Sequence, residues 1–280
     1  MGGWTGIALA LRGPADDRMA SRLPTSLHPL AGRPVAWHVL RAISGARPPP
    51  CRILYCTVDS PELPGLTDIP AEVVAVPPGG DWWAAVASHL GAGDDGPFLV
   101  VDAAAVALRD SLDALIGGAP GRALRSAQGE PLAVWIADRA ILERCAAGGL
   151  EALADACETV PPADPDEAFL VRDRASLARA GAVIQQRLIR RLMEGGVTFL
   201  KPETVLVDVD VTIGPDTVIY PGVVLEGGTT IGSETVIGPG CRIIDSQVGN
   251  GVELKGWNYL SGVKIRNRAV LEPYVRRGFD

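Results

Sequence analysis

The 280-residue sequence contains no window approaching the roughly 18 uncharged apolar residues that a membrane-spanning helix requires. It has no basic excess either. A net charge of −7 gives no electrostatic reason to expect binding to nucleic acid or to an anionic membrane surface. Residues 1–11 lack a basic segment, and their apolar run is too short for a signal peptide, so the expected location is the cytoplasm. Histidine is scarce, and His28, His38 and His89 stand alone, without a cysteine or carboxylate at metal-ligand spacing. The five cysteines (Cys51, Cys56, Cys145, Cys157, Cys241) are odd in number and never spaced as CxxC. Cys51 precedes an expected strand at 52–58 and Cys56 lies within it. They read either as half of a metal site that no second pair completes, or as buried free thiols. What is present in quantity is apolar: 47% hydrophobic against 21% charged residues, enough for a sizeable core, in a length that suggests two domains.

The C-terminal third carries a repeat. Branched apolar residues recur every six positions at Val207, Ile213, Ile219, Leu225, Ile231, Ile237 and Ile243. The ladder continues through Val248, Leu254, Leu260, Ile265 and Leu271, with two steps shortened to five. A second column runs two residues earlier: Val205, Val211, Thr217, Val223, Thr229, Thr235 and Cys241. An α-helix needs apolar residues every three to four positions and an amphipathic strand every two. A period of six fits neither. It fits a short strand plus a turn, three to each triangular coil, with the apolar column stacked inside a left-handed parallel β-helix of about four coils. Glycines following the main column (Gly214, Gly232, Gly238, Gly249) are expected to turn the corners.

The first part reads as an α/β domain. Apolar runs at 6–11, 52–58, 72–76, 98–101 and 132–137 alternate with helical stretches at 34–43, 81–90, 110–116 and 139–146. That alternation predicts a mostly parallel, Rossmann-like sheet covered on both faces. Pro- and Gly-rich loops fall at 48–50, 77–80 and 161–165. Arg174–Glu194 reads as one helix with Leu177, Ile184, Leu188 and Leu192 on one face; Asp173 caps its start and Gly195-Gly196 ends it. The expected division is 1–173 for the α/β domain, 174–196 for the linking helix and 197–280 for the β-helix.

The stretch from Arg18 through Met19, Ser21, Leu23-Pro24, Leu27-His28 and Leu30-Ala31-Gly32 to Pro34 resembles a known signature. It is similar to LAAGxGTRMxSxLPKxLHxLAGxPM, which opens the bifunctional bacterial N-acetylglucosamine-1-phosphate uridyltransferases and glucosamine-1-phosphate acetyltransferases. Further matches lie at 193–197 (MEGGV), at 202–204, at Ile213-Gly214-Pro215-Asp216-Thr217 and at Leu225-Glu226-Gly227. The resemblance implies an Mg²⁺-dependent reaction of UTP with N-acetylglucosamine 1-phosphate, giving the UDP-sugar (a peptidoglycan precursor) and pyrophosphate. It also implies a homotrimer joined by the prisms. In such enzymes a Gly-rich turn presents backbone N–H groups to the phosphates, an Arg and a Lys neutralise charge, and an Asp and an Asn hold the metal.

Carried over by resemblance, Arg18 stands as the loop arginine and the one catalytic candidate, with Leu11 and Gly13 beside it as nucleotide-binding positions. Asp102, at the end of the fourth strand, matches the metal aspartate, and Asp173 adjoins the second metal position. Other parts depart from the pattern. The loop keeps one glycine, is two residues longer, and includes Pro14, Asp16 and Asp17; Thr25 replaces the lysine; Arg172 falls where the asparagine belongs. Asp16, Asp17 and Asp173 are the carboxylates that could rebuild a metal site. Arg18 reads as a phosphate ligand or an ordinary surface arginine, and Asp102 as a metal ligand or a loop-capping carboxylate. Trp82-Trp83 could stack on a base or belong to the core. Arg187, Arg190 and Arg191 form a solvated helix face or an anion site, and His28 is expected to be packed or bonded to backbone. The later coils that hold acetyl-coenzyme A in the family are not in this sequence, so acetyl transfer is not expected of it. Two functions follow: a sugar-1-phosphate nucleotidyltransferase-like protein with weak or lost activity, or a non-catalytic protein that binds a nucleotide or sugar phosphate or serves trimeric assembly.

Overall fold

The computed structural model describes residues 3–12, 18–58, 66, 68–91, 94–106, 109–126, 129–146, 149–162 and 168–278. By internal contact the chain forms two compact units, Met1–Leu30 with Pro34–Ala180, and Ala31–Arg33 with Gly181–Asp280. The division falls inside the long helix Arg174–Glu194 rather than at either of its ends.

The first unit is built on a seven-stranded sheet in the order Glu158–Val160, Arg122–Arg125, Pro131–Ala137, Phe98–Asp102, Thr5–Ala10, Arg52–Thr57, Glu72–Ala75. Thr5–Ala10 pairs in parallel with both Phe98–Asp102 and Arg52–Thr57. Only Pro131–Ala137 runs antiparallel to its neighbours. Alternation along the central strands sends Ile7, Leu9, Leu54, Cys56 and Val100 into one core cluster. Trp82 and Trp83 join it, with the Trp83 ring edge-on to Phe98 at 5.7 Å between centroids. The core reading of the two tryptophans therefore holds. The helix Val35–Ser44 covers the strand Thr5–Ala10 and lies so close to it that a Cβ on Gly6 would come within 2.5 Å of Ile43 Cγ2.

Aspartates start three helices. Asp81 accepts from the N–H groups of Trp83 and Ala84, Asp138 from that of Ile141, and Asp173 from that of Ser176, each satisfying donors a helix N-terminus leaves open. The helix expected at 81–90 spans only Trp82–Ala87. The Ser88 hydroxyl and the His89 ring both bond the carbonyl of Ala85, competing with helix continuation. Elements at Arg122–Arg125, Gly149–Ala156 and Glu158–Val160 were not anticipated. Arg122–Arg125 has helix-favouring residues and becomes a strand because Ala123 and Leu124 are buried and the segment pairs with Pro131–Ala137.

The second unit is the β-helix. Its three faces contain five, five and four short parallel strands. Val207, Leu225, Ile243 and Leu260 stack in register on one face. Ile213, Ile231, Val248 and Ile265 stack on the second, and Ile219, Ile237, Leu254 and Leu271 on the third. All are buried except Ile213, which is half-buried against the same core. Two rungs lie beyond the expected ladder, Thr198–Phe199 and Arg276–Arg277, so the prism exceeds four coils. Glycine's part differs from expectation. Gly214, Gly232, Gly238 and Gly249 do not have positive φ; the left-handed corners fall two residues later, at Asp216, Glu234, Gly240 and Gly251. Glycine is needed because the next coil's backbone passes close by: a Cβ on Gly232 would sit 2.7 Å from Asn250 N, and one on Gly238 2.5 Å from Leu254 O.

The second column is equally buried and partly polar. Thr235 Oγ1 donates to Gly249 O at 3.0 Å and accepts from Val252 N–H at 3.2 Å; Thr217 donates to Gly232 O and accepts from Thr235 N–H. Hydroxyls inside the prism thus tie one coil to the next. In the same unit, the Gln185 amide donates to Val207 O at 2.8 Å and accepts from Val207 N–H at 2.9 Å, bonding the edge strand of its face as another strand would. No helix among the described residues is long and apolar enough to cross a membrane.

Candidate functional site

The carboxyl ends of the central parallel strands are where open α/β sheets bind ligands, and three of the matched residues gather there. Asp102 ends its strand opposite Leu9 and is buried, with 5% of its surface exposed. Just beyond it, Ala105–Val106 pairs antiparallel with Phe169–Leu170, and Val171 N–H extends the pairing to Ala104 O. This ladder brings the segment of Asp173 back to the segment of Asp102. Arg18 then bridges Asp173 in parallel, and Arg174 Nε donates to Met19 O at 3.1 Å. Residues more than 150 positions apart in sequence are joined here by main-chain pairing. Gly13, Asp16 and Asp17 lie outside the described residues. Leu11 is half-buried with its side chain against the core, leaving its backbone as the part a ligand would meet.

The two carboxylates are already engaged. Asp102 Oδ1 accepts Ala104 N–H at 2.9 Å, and Oδ2 lies 3.5 Å from Arg12 Nη2. Asp173 Oδ1 accepts both the N–H and the hydroxyl of Ser176, at 2.7 and 2.6 Å. These bonds, with a smaller contribution from the Arg18 charge, hold the Asp173 carboxyl below its ordinary range. Neither residue presents an open pair of oxygens, Arg172 is exposed beside them, and the described residues contain no group of three His, Cys, Asp or Glu side chains able to hold a metal. The described residues alone do not complete the Mg²⁺ ligand set that the resemblance implies; Asp16 and Asp17 lie outside them. Asp102 acts as the loop-capping carboxylate, and Asp173 as the helix cap.

Thr25, standing at the lysine position, is buried at 3% exposure in the turn Thr25–Leu27, and neighbouring Ser26 hydrogen-bonds Tyr55. Burial pushes the Tyr55 hydroxyl up to about 12, with the nearby Asp102 charge adding to the effect against the Ser26 hydrogen bond, so Tyr55 stays protonated. His28 is buried, as expected. Arg190 and Arg191 are exposed and Arg187 half-buried on their helix. Cys56 is buried while Cys51 is exposed, so the buried-thiol reading holds for Cys56 and fails at Cys51. Arg12 lies two residues beyond the strand Thr5–Ala10, whose Leu9 pairs with Asp102, a pairing the sequence itself does not mark.

The strands of the prism repeat every six residues, and residues 210–245 match the family described as Bacterial transferase hexapeptide (six repeats). The chain is similar to the Bifunctional protein GlmU of Trichlorobacter lovleyi, 38% identical over 117 residues covering 42% of this chain and 25% of the relative. The GlmU of Acetivibrio thermocellus is 41% identical over 117 residues, 41% of this chain and 25% of the relative. That of Lactobacillus delbrueckii subsp. bulgaricus is 49% identical over 89 residues, 32% and 19% of the two chains. A solved structure described as the Mycobacterium tuberculosis rv0371c homolog from mycobacterium sp. strain JC1 aligns at 17% identity and a TM-score of 0.47, over 65% of this chain and 97% of that one. Over the matched stretches the chain resembles GlmU proteins, and its C-terminal part carries hexapeptide repeats. It spans about a quarter of the length of the first two of these relatives.

Proposed function

We propose that the first unit is a nucleotidyltransferase-type domain that binds a nucleotide sugar or sugar phosphate, with UDP-N-acetylglucosamine chemistry favoured, and turns it over weakly or not at all. The observation that carries this reading is the gathering of Arg18, Asp102 and Asp173 at the carboxyl end of the central strands by main-chain pairing. Weak turnover follows from the same place, because both carboxylates are committed to protein donors and Thr25 offers no charge to a phosphate. The prism serves assembly: its stacked interior suits a straight, rigid column that joins copies by cyclic symmetry, three to an assembly. A non-catalytic role in binding or assembly is favoured specifically by the engagement of Asp102 with Arg12.

Calorimetric titration of the chain with UTP and with UDP-N-acetylglucosamine tests the reading. Saturable heat with at least one of them supports it; no heat with either, with or without Mg²⁺, sinks it.

A further inference from the structure

One face of the prism, built from Thr212–Ile213, Thr230–Ile231, Gln247–Val248 and Lys264–Ile265, differs from the other two in what it turns outward. Its exposed column is Thr212, Thr230, Gln247 and Lys264, polar at every step. At the matching positions of their first coils the other faces have Leu206 with Val224, and Val218 with Val236. Towards the last strand of the polar face lies a cleft of about 560 Å³, within the size range of small-molecule sites. Its shape follows from the sequence. The apolar ladder is followed by Gly214, Gly232 and Gly249 in three successive coils and by Arg266 in the fourth. The glycines leave the corner bare, and Arg266 closes the bare stretch. Two residues earlier, on the same side of the strand, Lys264 ends the polar column. Asn267 is fixed between coils, because its Oδ1 accepts Asn250 N–H at 2.9 Å; its amide NH₂ is the part left for a ligand.

We infer that this cleft is a binding site for a sugar phosphate, carried by the prism and independent of the reading of the first unit. Charge is the first reason. No aspartate or glutamate lines the cleft, and neither Lys264 nor Arg266 forms an ion pair among the described residues. Elsewhere on the prism Arg242 is held by Glu226 and Lys255 by Glu272, so exposed cations of this unit take carboxylate partners where the sequence supplies them. Two cations side by side, in a chain with more acidic than basic residues, call for an anion of about two charges. A phosphate monoester carries about −1.5 to −2 at pH 7. Its oxygens suit the guanidinium fork of Arg266, and the Lys264 ammonium meets it as a point charge. Size is the second reason. The cleft exceeds a bare phosphate several times over, and beyond the two cations it offers the Gln247 amide and the Thr230 hydroxyl, groups that pair with sugar hydroxyls.

The test is calorimetry of the full chain in EDTA with N-acetylglucosamine 1-phosphate, and with neutral N-acetylglucosamine for comparison. Wild type, Lys264→Ala/Arg266→Ala and Arg18→Ala are titrated side by side. The inference predicts saturable binding of the sugar phosphate, weakened by added salt, and none of the neutral sugar. It predicts that the double variant loses this binding by about tenfold or more, the effect of removing charge-assisted contacts, and that Arg18→Ala keeps it. Both replaced side chains are exposed, so the double variant should fold, and unchanged melting shows that the loss is one of binding. Binding kept by the double variant but lost in Arg18→Ala would belong to the first unit and overturn the inference. So would equal binding of the neutral sugar, or no binding at all. A changed mass of the double variant in light scattering would assign the cleft to contact between copies, and would overturn it as well.

Discussion

Asp173 Oδ1 takes two hydrogen bonds from one residue, the N–H of Ser176 at 2.7 Å and its hydroxyl at 2.6 Å. This carboxylate starts the helix Arg174–Glu194, and its ionised form is the one those donors favour. Because its pKa is lowered on folding, the stabilisation is fully present above the ordinary carboxylate range. It is lost as pH falls through the folded-state value. Asp173→Asn should therefore melt below wild type near pH 7. The two melting temperatures should converge as the pH is lowered through and below the ordinary carboxylate range. A gap that stayed constant across that range would mean the carboxylate charge is not what the cap uses.

The stacked column of the prism gives a second expectation. Ile231 is 4% exposed and lies between Ile213 and Val248. Ile231→Asp buries an unpaired carboxylate, at a cost of several kcal/mol. In light scattering the wild type should have the mass of a trimer at micromolar concentration. The variant should lose both that mass and the high-temperature part of the melt. Wild-type melting in the variant would mean that the register is wrong.

Threonine inside the prism can be tested with a near-isosteric change. Val211, Val223 and Val252 are also buried inside the prism, so valine fits this interior. Thr235→Val keeps the shape but removes the donor to Gly249 O and the acceptor of Val252 N–H. The expected loss is about 1–3 kcal/mol in denaturant unfolding, the usual range for stranding a buried polar group. A variant as stable as wild type would show that the coil-to-coil hydroxyl bonds are dispensable.

The prism was legible because each rung repeats the same strand and corner, so its apolar column recurs every five or six residues and reports directly which side faces inward. Its glycines were less so, because what demands them is the neighbouring coil's backbone some 17 or 18 residues away, as at Gly232 and Asn250. In the first unit the central strands declared themselves by apolar runs. Arg122–Arg125 did not, since its strand state comes from pairing with Pro131–Ala137. The resemblance names Arg18, Asp102 and Asp173, and the structure pairs Arg18 with Asp173, but the Arg12–Asp102 contact depends on which strands lie side by side, and the sequence carries no local mark of that.

Thiol chemistry separates the two sides of the strand Arg52–Thr57. Cys51 is exposed at its entrance, whereas Cys56 is buried, and burial pushes its thiol up to about 12. Burial also pushes Cys157 up to about 11, the neighbouring Cys145 adding to the effect. Since the thiolate is the reactive form, a disulfide reagent at about pH 8 should label one cysteine per folded chain quickly and all five only in denaturant. Cys51→Ser should remove the fast phase. A fast phase that survives this substitution would mean that one of the buried sulfurs opens readily.

The most direct measurement is pyrophosphate release by the unmodified chain, given UTP, N-acetylglucosamine 1-phosphate and Mg²⁺. With Asp102 paired to Arg12, Arg172 exposed where a metal ligand belongs, and Thr25 buried where a lysine belongs, several charge-stabilising contacts are absent. Each typically costs about 10²–10³ in rate. The account predicts a release rate indistinguishable from background, or orders of magnitude below that of an intact bifunctional relative assayed alongside. Robust, Mg²⁺-dependent turnover that EDTA abolishes would contradict it.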